Sequence, residues 1–173
     1  MIVIHDFGVS LAEYFSLGRD NEFPSLDKCL ACKAKAVLLR HGYYERNAIQ
    51  EKEYRIVILR LKCKHCQKTV SILPSFLFSG FQHGVAYIVK CLKDSFSRNK
   101  KSTYRQKLSF YKKRFMKNMY LVEGFFRTLG NREKIPKKPI KKAMKLVELI
   151  TLSGEETFAK RFQNHFNKHF MAS

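Results

Sequence analysis

The chain has 173 residues, with 34 Lys and Arg against 14 Asp and Glu, for a net charge of +20. Its 15 Phe and 8 Tyr, with no Trp, exclude wholesale disorder and are enough to fill one core or two small ones. No apolar run approaches the roughly twenty residues that span a bilayer, and the start, Met1-Ile-Val-Ile-His-Asp, lacks the basic region of a signal peptide. A cytoplasmic chain with a polyanionic partner and no membrane association is therefore expected.

Residues 1–26 read as a lead-in, with a short helix over 9–15 and Pro24 ahead of the first of two cysteine pairs. Those pairs are Cys29-Leu-Ala-Cys32 and Cys63-Lys-His-Cys66. In a reducing setting, two C-x-x-C turns are metal ligands more often than disulfides. Four thiolates at about 2.3 Å close a tetrahedral zinc site with no open position for water, which suits a structural ion. His65 is left out of the ligand set. Lys33 and Gln67 stand where such turns usually place Gly, and a left-handed backbone there costs about 1 kcal/mol in a residue with a Cβ.

Strands are predicted over 36–44, 53–63 and 69–73. In the second, Arg55, Val57, Leu59 and Leu61 alternate with Tyr54, Ile56, Ile58 and Arg60. Each cysteine turn leads into a strand, so residues 27–80 predict a three-stranded zinc ribbon. Such a sheet is too small to rest on its own core and would depend on its metal.

Beyond the ribbon the pattern turns helical. Val85, Ile88, Val89, Leu92 and Phe96 mark a helix over 84–97, on which the lone Cys91 reads as a buried small hydrophobe. Thr103-Tyr-Arg-Gln106 matches a capping box and opens a longer helix over 103–128, ended by Gly130. The pair, within residues 81–132, predicts a helix-turn-helix-like basic domain. Arg98 to Lys117 holds nine basic residues and no acidic one, whereas a merely solvated helix mixes both signs.

In that arrangement the start of the second helix reads the major groove, through Tyr104, Arg105, Gln106 and Lys107. Lys100, Lys101, Lys112, Lys113, Arg114 and Lys117 would hold phosphates. A last segment, 133–173, predicts helices over 140–152 and after a second capping box, Ser153-Gly-Glu-Glu156. Phe158, Phe162, Phe166 and Phe170 then repeat every fourth residue. That stripe fits an internal core and a homodimer equally. The Lys/Pro stretch 134–142 is the linker candidate.

The strings Arg40-His-Gly-Tyr-Tyr-Glu-Arg46 and Leu73-Pro-Ser-Phe-Leu77, together with the cysteine pairs and the lead-in Asp6-Phe-Gly, Glu13-Tyr-Phe and Phe23-Pro24, carry a resemblance over roughly residues 1–125. The chain resembles small bacterial, transposase-associated proteins that begin with a zinc-binding domain of unknown function. The resemblance implies that the four cysteines bind metal and that a DNA-binding helical segment follows, in a nucleoid-associated protein of a mobile element. A separate transposase would then be a partner.

The expected fold class is α+β. The expected function is non-enzymatic, zinc-dependent binding of double-stranded DNA, since only five Glu and no Asp follow Phe96 and a two-metal nuclease needs clustered carboxylates. An RNA- or ribosome-binding protein is the alternative, with Tyr43, Tyr44 and Phe78 stacking on unpaired bases.

Overall fold

The structure, a computed structural model, describes residues 1–35, 38–97, 105–166 and 168–172. It is α+β and divides into two compact units, Met1–Gly84 and Val85–Ser173. Among the described residues, no helix is long and apolar enough to cross a membrane.

The first unit holds strand β1 (Ile2–His5), helix α1 (Leu11–Leu17) with a 3-10 turn at Gly18–Asp20, and strands β2 (Leu39–Ile49), β3 (Glu53–Lys62) and β4 (Thr69–Pro74). The sheet has four strands in the order β1-β4-β3-β2, rather than the three predicted. β2, β3 and β4 form an antiparallel meander, and Ile2–His5, inside the expected lead-in, adds in parallel along β4. A four-residue run paired with a partner some seventy residues away leaves no local periodicity to find.

Both faces of β3 are buried. Ile56 and Ile58 join Leu11, Tyr14, Ala48, Leu73, Phe76 and Leu77 in one cluster. Leu59 and Leu61 join Leu38, Val70, Ile72, Cys29 and Cys63 in another. Alternation of side chains along the strand sends the two sets to opposite faces. α1 is set by a capping box: the Glu13 N–H donates to the Ser10 hydroxyl at 3.3 Å and the Ser10 N–H to the Glu13 carboxylate at 2.8 Å. Its Tyr14 hydroxyl donates to the Val57 carbonyl at 2.8 Å, fixing the helix on β3.

The string Arg40–Arg46 has a structural account. The ladder slips between Arg40 and Gly42, leaving His41 as a bulge, and Gly42 takes φ 146°, open to glycine. Tyr43 and Tyr44 then face opposite sides, Tyr43 under the Arg19 guanidinium and Tyr44 under that of Arg60. Arg46 donates to the carbonyls of Phe78 and Phe81 and anchors the loop after β4. Phe78 is buried against Phe81. It is therefore not an exposed stacking platform, which corrects the expectation for it; Tyr43 and Tyr44 are half-buried.

The second unit holds α2 (Val85–Phe96), α3 (Arg105–Thr128), α4 (Pro139–Leu152) and α5 (Glu155–Phe166). Each puts an apolar stripe inward: Val85, Ile88, Val89 and Leu92 from α2, Phe115, Val122 and Phe126 from α3, Leu146 and Ile150 from α4. Cys91 is buried as expected, and burial raises its thiol pKa. α3 ends at Gly130, φ 83°, where the Asn131 N–H closes back to the Phe126 carbonyl. The Lys/Pro stretch 134–142 lies within this unit and leads from α3 into α4.

Phe158, Phe162 and Phe170 are fully buried in this unit. Phe158 stacks on Phe126 at 5.1 Å, and Phe125 meets Phe158 and Phe162 edge-on at 5.6 and 5.4 Å. The predicted box at Ser153 serves the other helix. Its hydroxyl donates to the Leu149 and Ile150 carbonyls and closes α4.

Candidate functional site

The two cysteine turns are the same structure built twice. In the first, the Cys29 N–H donates to the Ala34 carbonyl at 3.1 Å and the Lys33 N–H to the Cys29 carbonyl at 2.9 Å. In the second, the Cys63 N–H donates to Lys68 at 3.0 Å and the Gln67 N–H to Cys63 at 3.0 Å. Each turn closes through a residue in the left-handed region, Lys33 at φ 59° and Gln67 at φ 58°. Gln67 steadies its own turn, its side-chain amide donating to the Lys64 carbonyl at 2.7 Å.

The turns bring Cys29, Cys32, Cys63 and Cys66 together with all four sulfurs within 4.8 Å of one another. The Cys29–Cys66 pair is 3.6 Å apart and the Cys32–Cys63 pair 3.9 Å. Metal–sulfur bonds of about 2.3 Å in a tetrahedron give sulfur–sulfur edges of about 3.8 Å, so the cluster has the size that one such ion needs. All are free thiols. Among the described residues, this is the one group of three or more His, Cys, Asp or Glu side chains close enough to share a metal. His65 is exposed and lies outside it.

The thiols differ in acidity. The Cys32 amide, directed at Cys29 and opposed by burial, brings Cys29 down to about 6. The Ala34 amide lowers Cys32, but burial and the sulfurs of Cys29, Cys66 and Cys63 outweigh it and raise that thiol to about 11. One thiolate therefore forms readily, and its charge opposes the next.

The cationic candidates lie on α3, and the structure separates them into two groups. Lys100, Lys101 and Tyr104 fall outside the described residues. Three others pack on rings: the Lys107 ammonium lies 5.7 Å from the Tyr87 centroid, Lys112 5.4 Å from Phe96, and the Arg114 guanidinium 4.7 Å from Phe110. Arg114 also donates to the Met171 carbonyl at 3.1 Å, so it ties α3 to the end of the chain. Arg105, Gln106, Lys113 and Lys117 are exposed.

Gln106, Phe110, Lys113, Lys117 and Tyr120 follow one another at three- and four-residue steps and share one face of the helix. Tyr120 is 68% exposed and Phe110 47%. That interleaving of aromatic and basic side chains was missed from sequence, where Phe110 reads as a residue needing burial. The 3.6-residue period places Tyr120 beside Lys113 and Lys117, a signal that was available. Glu123, the one acid on α3, is held by Lys142 at 2.7 Å.

Residues 29–112 match the family described as a domain of unknown function, DUF6431. The match starts at Cys29 and covers both cysteine turns, β2 to β4, α2 and the first two turns of α3. No curated protein and no solved structure matches the chain.

Proposed function

We propose that this chain is a non-enzymatic, metal-stabilised protein that binds double-stranded DNA. One Zn²⁺ on Cys29, Cys32, Cys63 and Cys66 serves the fold, because four soft thiolates in a tetrahedral cluster of this size suit zinc before other common ions. Zinc there joins the two cysteine turns and leaves no coordination position for substrate.

The observation that carries the reading is the exposed face of α3. Gln106 to Tyr120 extends about 21 Å along the helix at 1.5 Å per residue, and it has cations, two aromatics and an amide but no acid. Arg105, Lys113 and Lys117 supply phosphate contacts, and Gln106 in the first turn is placed to read a base edge, with α2 and α3 used in the manner of a helix-turn-helix. The resemblance carried by the Arg40–Arg46 and Leu73–Leu77 strings adds the setting, an accessory factor or regulator of a transposable element.

Native mass spectrometry of protein purified without chelator, alone and with a random-sequence duplex, tests the metal and the partner together. One zinc per chain and a duplex complex are expected. Charge reversal at Arg105 and Lys113 should weaken binding and flatten its salt dependence. Unchanged affinity and slope would remove α3 from the interface, and magnesium-dependent cleavage of the duplex would overturn the non-enzymatic reading.

A further inference from the structure

Unit Met1–Gly84 has its own concentration of charge, and the cysteine turns put it there. Because the four sulfurs converge, Lys28, Lys33 and Lys35 of the first turn and Lys62, Lys64 and Lys68 of the second gather at one end of the sheet. Lys28 and Lys35 face each other across an antiparallel bridge, and Lys62 pairs with Leu39 on one side and Thr69 on the other. Five are exposed and Lys62 is half-buried. Among the described residues, none of the six forms an ion pair.

Acids are kept away from this end. None occurs in residues 28–44 or 54–93. Glu51 and Glu53 lie at the hairpin where β3 begins, and Glu45 is held by Arg55 at 2.6 Å. A zinc tetrathiolate carries two negative charges and Asp27 a third, so six ammonium groups exceed what is needed to balance them. Lys33 adds a separate observation. It holds a left-handed conformation that glycine takes freely, and unlike Gln67 its side chain makes no hydrogen bond among the described residues. What its side chain brings to the turn is a charge.

We infer that the cysteine-turn end of this unit is a phosphate-binding surface in its own right, laid against the backbone of duplex DNA. The inference rests on the reading of the chain as a DNA-binding protein and adds a surface separate from α3. Lysines are point charges that position a backbone without reading bases. Leu30 and Leu39 are exposed beside them, but two leucines fall short of the apolar face that seats a protein in a membrane.

The test is fluorescence anisotropy of a labelled duplex of about 30 base pairs, random in sequence to exclude base readout, titrated with zinc-loaded full chain over a range of salt. Changing Lys33, Lys35, Lys64 and Lys68 together to Gln should weaken binding about tenfold or more and lower the salt slope by up to about 0.9 for each phosphate no longer neutralised. The same four positions as Arg should restore it. Lys33→Gly removes one charge while relaxing the backbone, so a roughly threefold loss with an unchanged cobalt-substituted spectrum cannot come from a misfolded turn. If the four-Gln protein binds like wild type while Arg105→Gln/Lys113→Gln/Lys117→Gln does not, this inference falls and the DNA-binding reading stands. If wild type binds no duplex at low salt, both fall. Charge-dependent capture by phosphatidylserine vesicles, with duplex affinity unmoved by the four-Gln change, would also overturn it.

Discussion

In the metal-free cluster the thiols of Cys29 and Cys32 pull stability in opposite directions with pH. Cys29 sits near 6, below its ordinary 9, under the Cys32 and Ala31 amides, while Cys32 sits near 11. Between pH 6 and 9 the folded chain has released a proton that the unfolded chain keeps, so stability rises with pH. Between 9 and 11 Cys32 keeps a proton that the unfolded chain has lost, and stability falls. The denaturation midpoint of metal-free protein should therefore peak near pH 9, and Cys29→Ser should remove the acid limb alone. A midpoint flat from pH 6 to 9 would contradict the geometry of the Cys29 turn. Gln67 offers a second check. Gln67→Gly trades the bond to Lys64 for an unstrained left-handed residue and should be nearly neutral. Gln67→Val loses the bond and adds a β-branched clash at φ 58°, for a loss of about 2 kcal/mol by thermal unfolding. The metal ligands themselves were legible, because C-x-x-C spacing states a turn and a chemistry in four letters. The fate of the α3 cations was not. Periodicity says which side of a helix a lysine is on, and only the fold says that Tyr87 and Phe96 lie under Lys107 and Lys112.

At the scale of elements, the helix and strand positions read from periodicity agree closely with the structure wherever the pattern ran for two turns or more. β3, α2 and α4 are cases in point. The exceptions share a physical cause, which is that the deciding partner is distant in sequence. β1 exists because β4 offers it an edge, and Ser153 faces back to α4 because the Leu149 and Ile150 carbonyls are left without intrahelical donors there. The box at Ser10-Leu-Ala-Glu13 was readable by the same rule and was overlooked. The Phe stripe of α5, open to two readings from sequence, is occupied from within. Phe158 touches Phe125, Phe126, Phe162 and Phe170. Phe158→Ala should accordingly cost about 3–5 kcal/mol in urea unfolding followed by helical circular dichroism, at a mass by light scattering equal to that of wild type. A change of mass with little loss of stability would instead make the stripe an interface.

For the whole molecule, the question is how far the metal's influence reaches. The sequence suggested a sheet too small to stand without it. The structure gives that sheet a fourth strand and two clusters, and only one of the two, around Leu38, Leu59, Leu61 and Val70, includes ligand cysteines. The other, around Tyr14, Ile56 and Ile58, is closed by α1 and by Phe76 and Leu77. A structural zinc contributes on the order of 10 kcal/mol, which is more than a small unit's whole margin, so the metal still decides whether the cysteine-turn half is ordered. Chelation at neutral pH should abolish amide exchange protection at Cys29, Lys33, Cys63 and Gln67 first and weaken it along β4. Protection at Ile56 and Ile58 should outlast it. Helices α2 to α5, which form a separate compact unit with their own aromatic core, should keep their protection and their thermal midpoint. Hydrogen exchange read by mass spectrometry separates these regions. If α2 to α5 lost protection together with the cysteine turns, the chain would fold as one cooperative body, and the zinc would then govern the α3 surface as directly as it governs its own ligands.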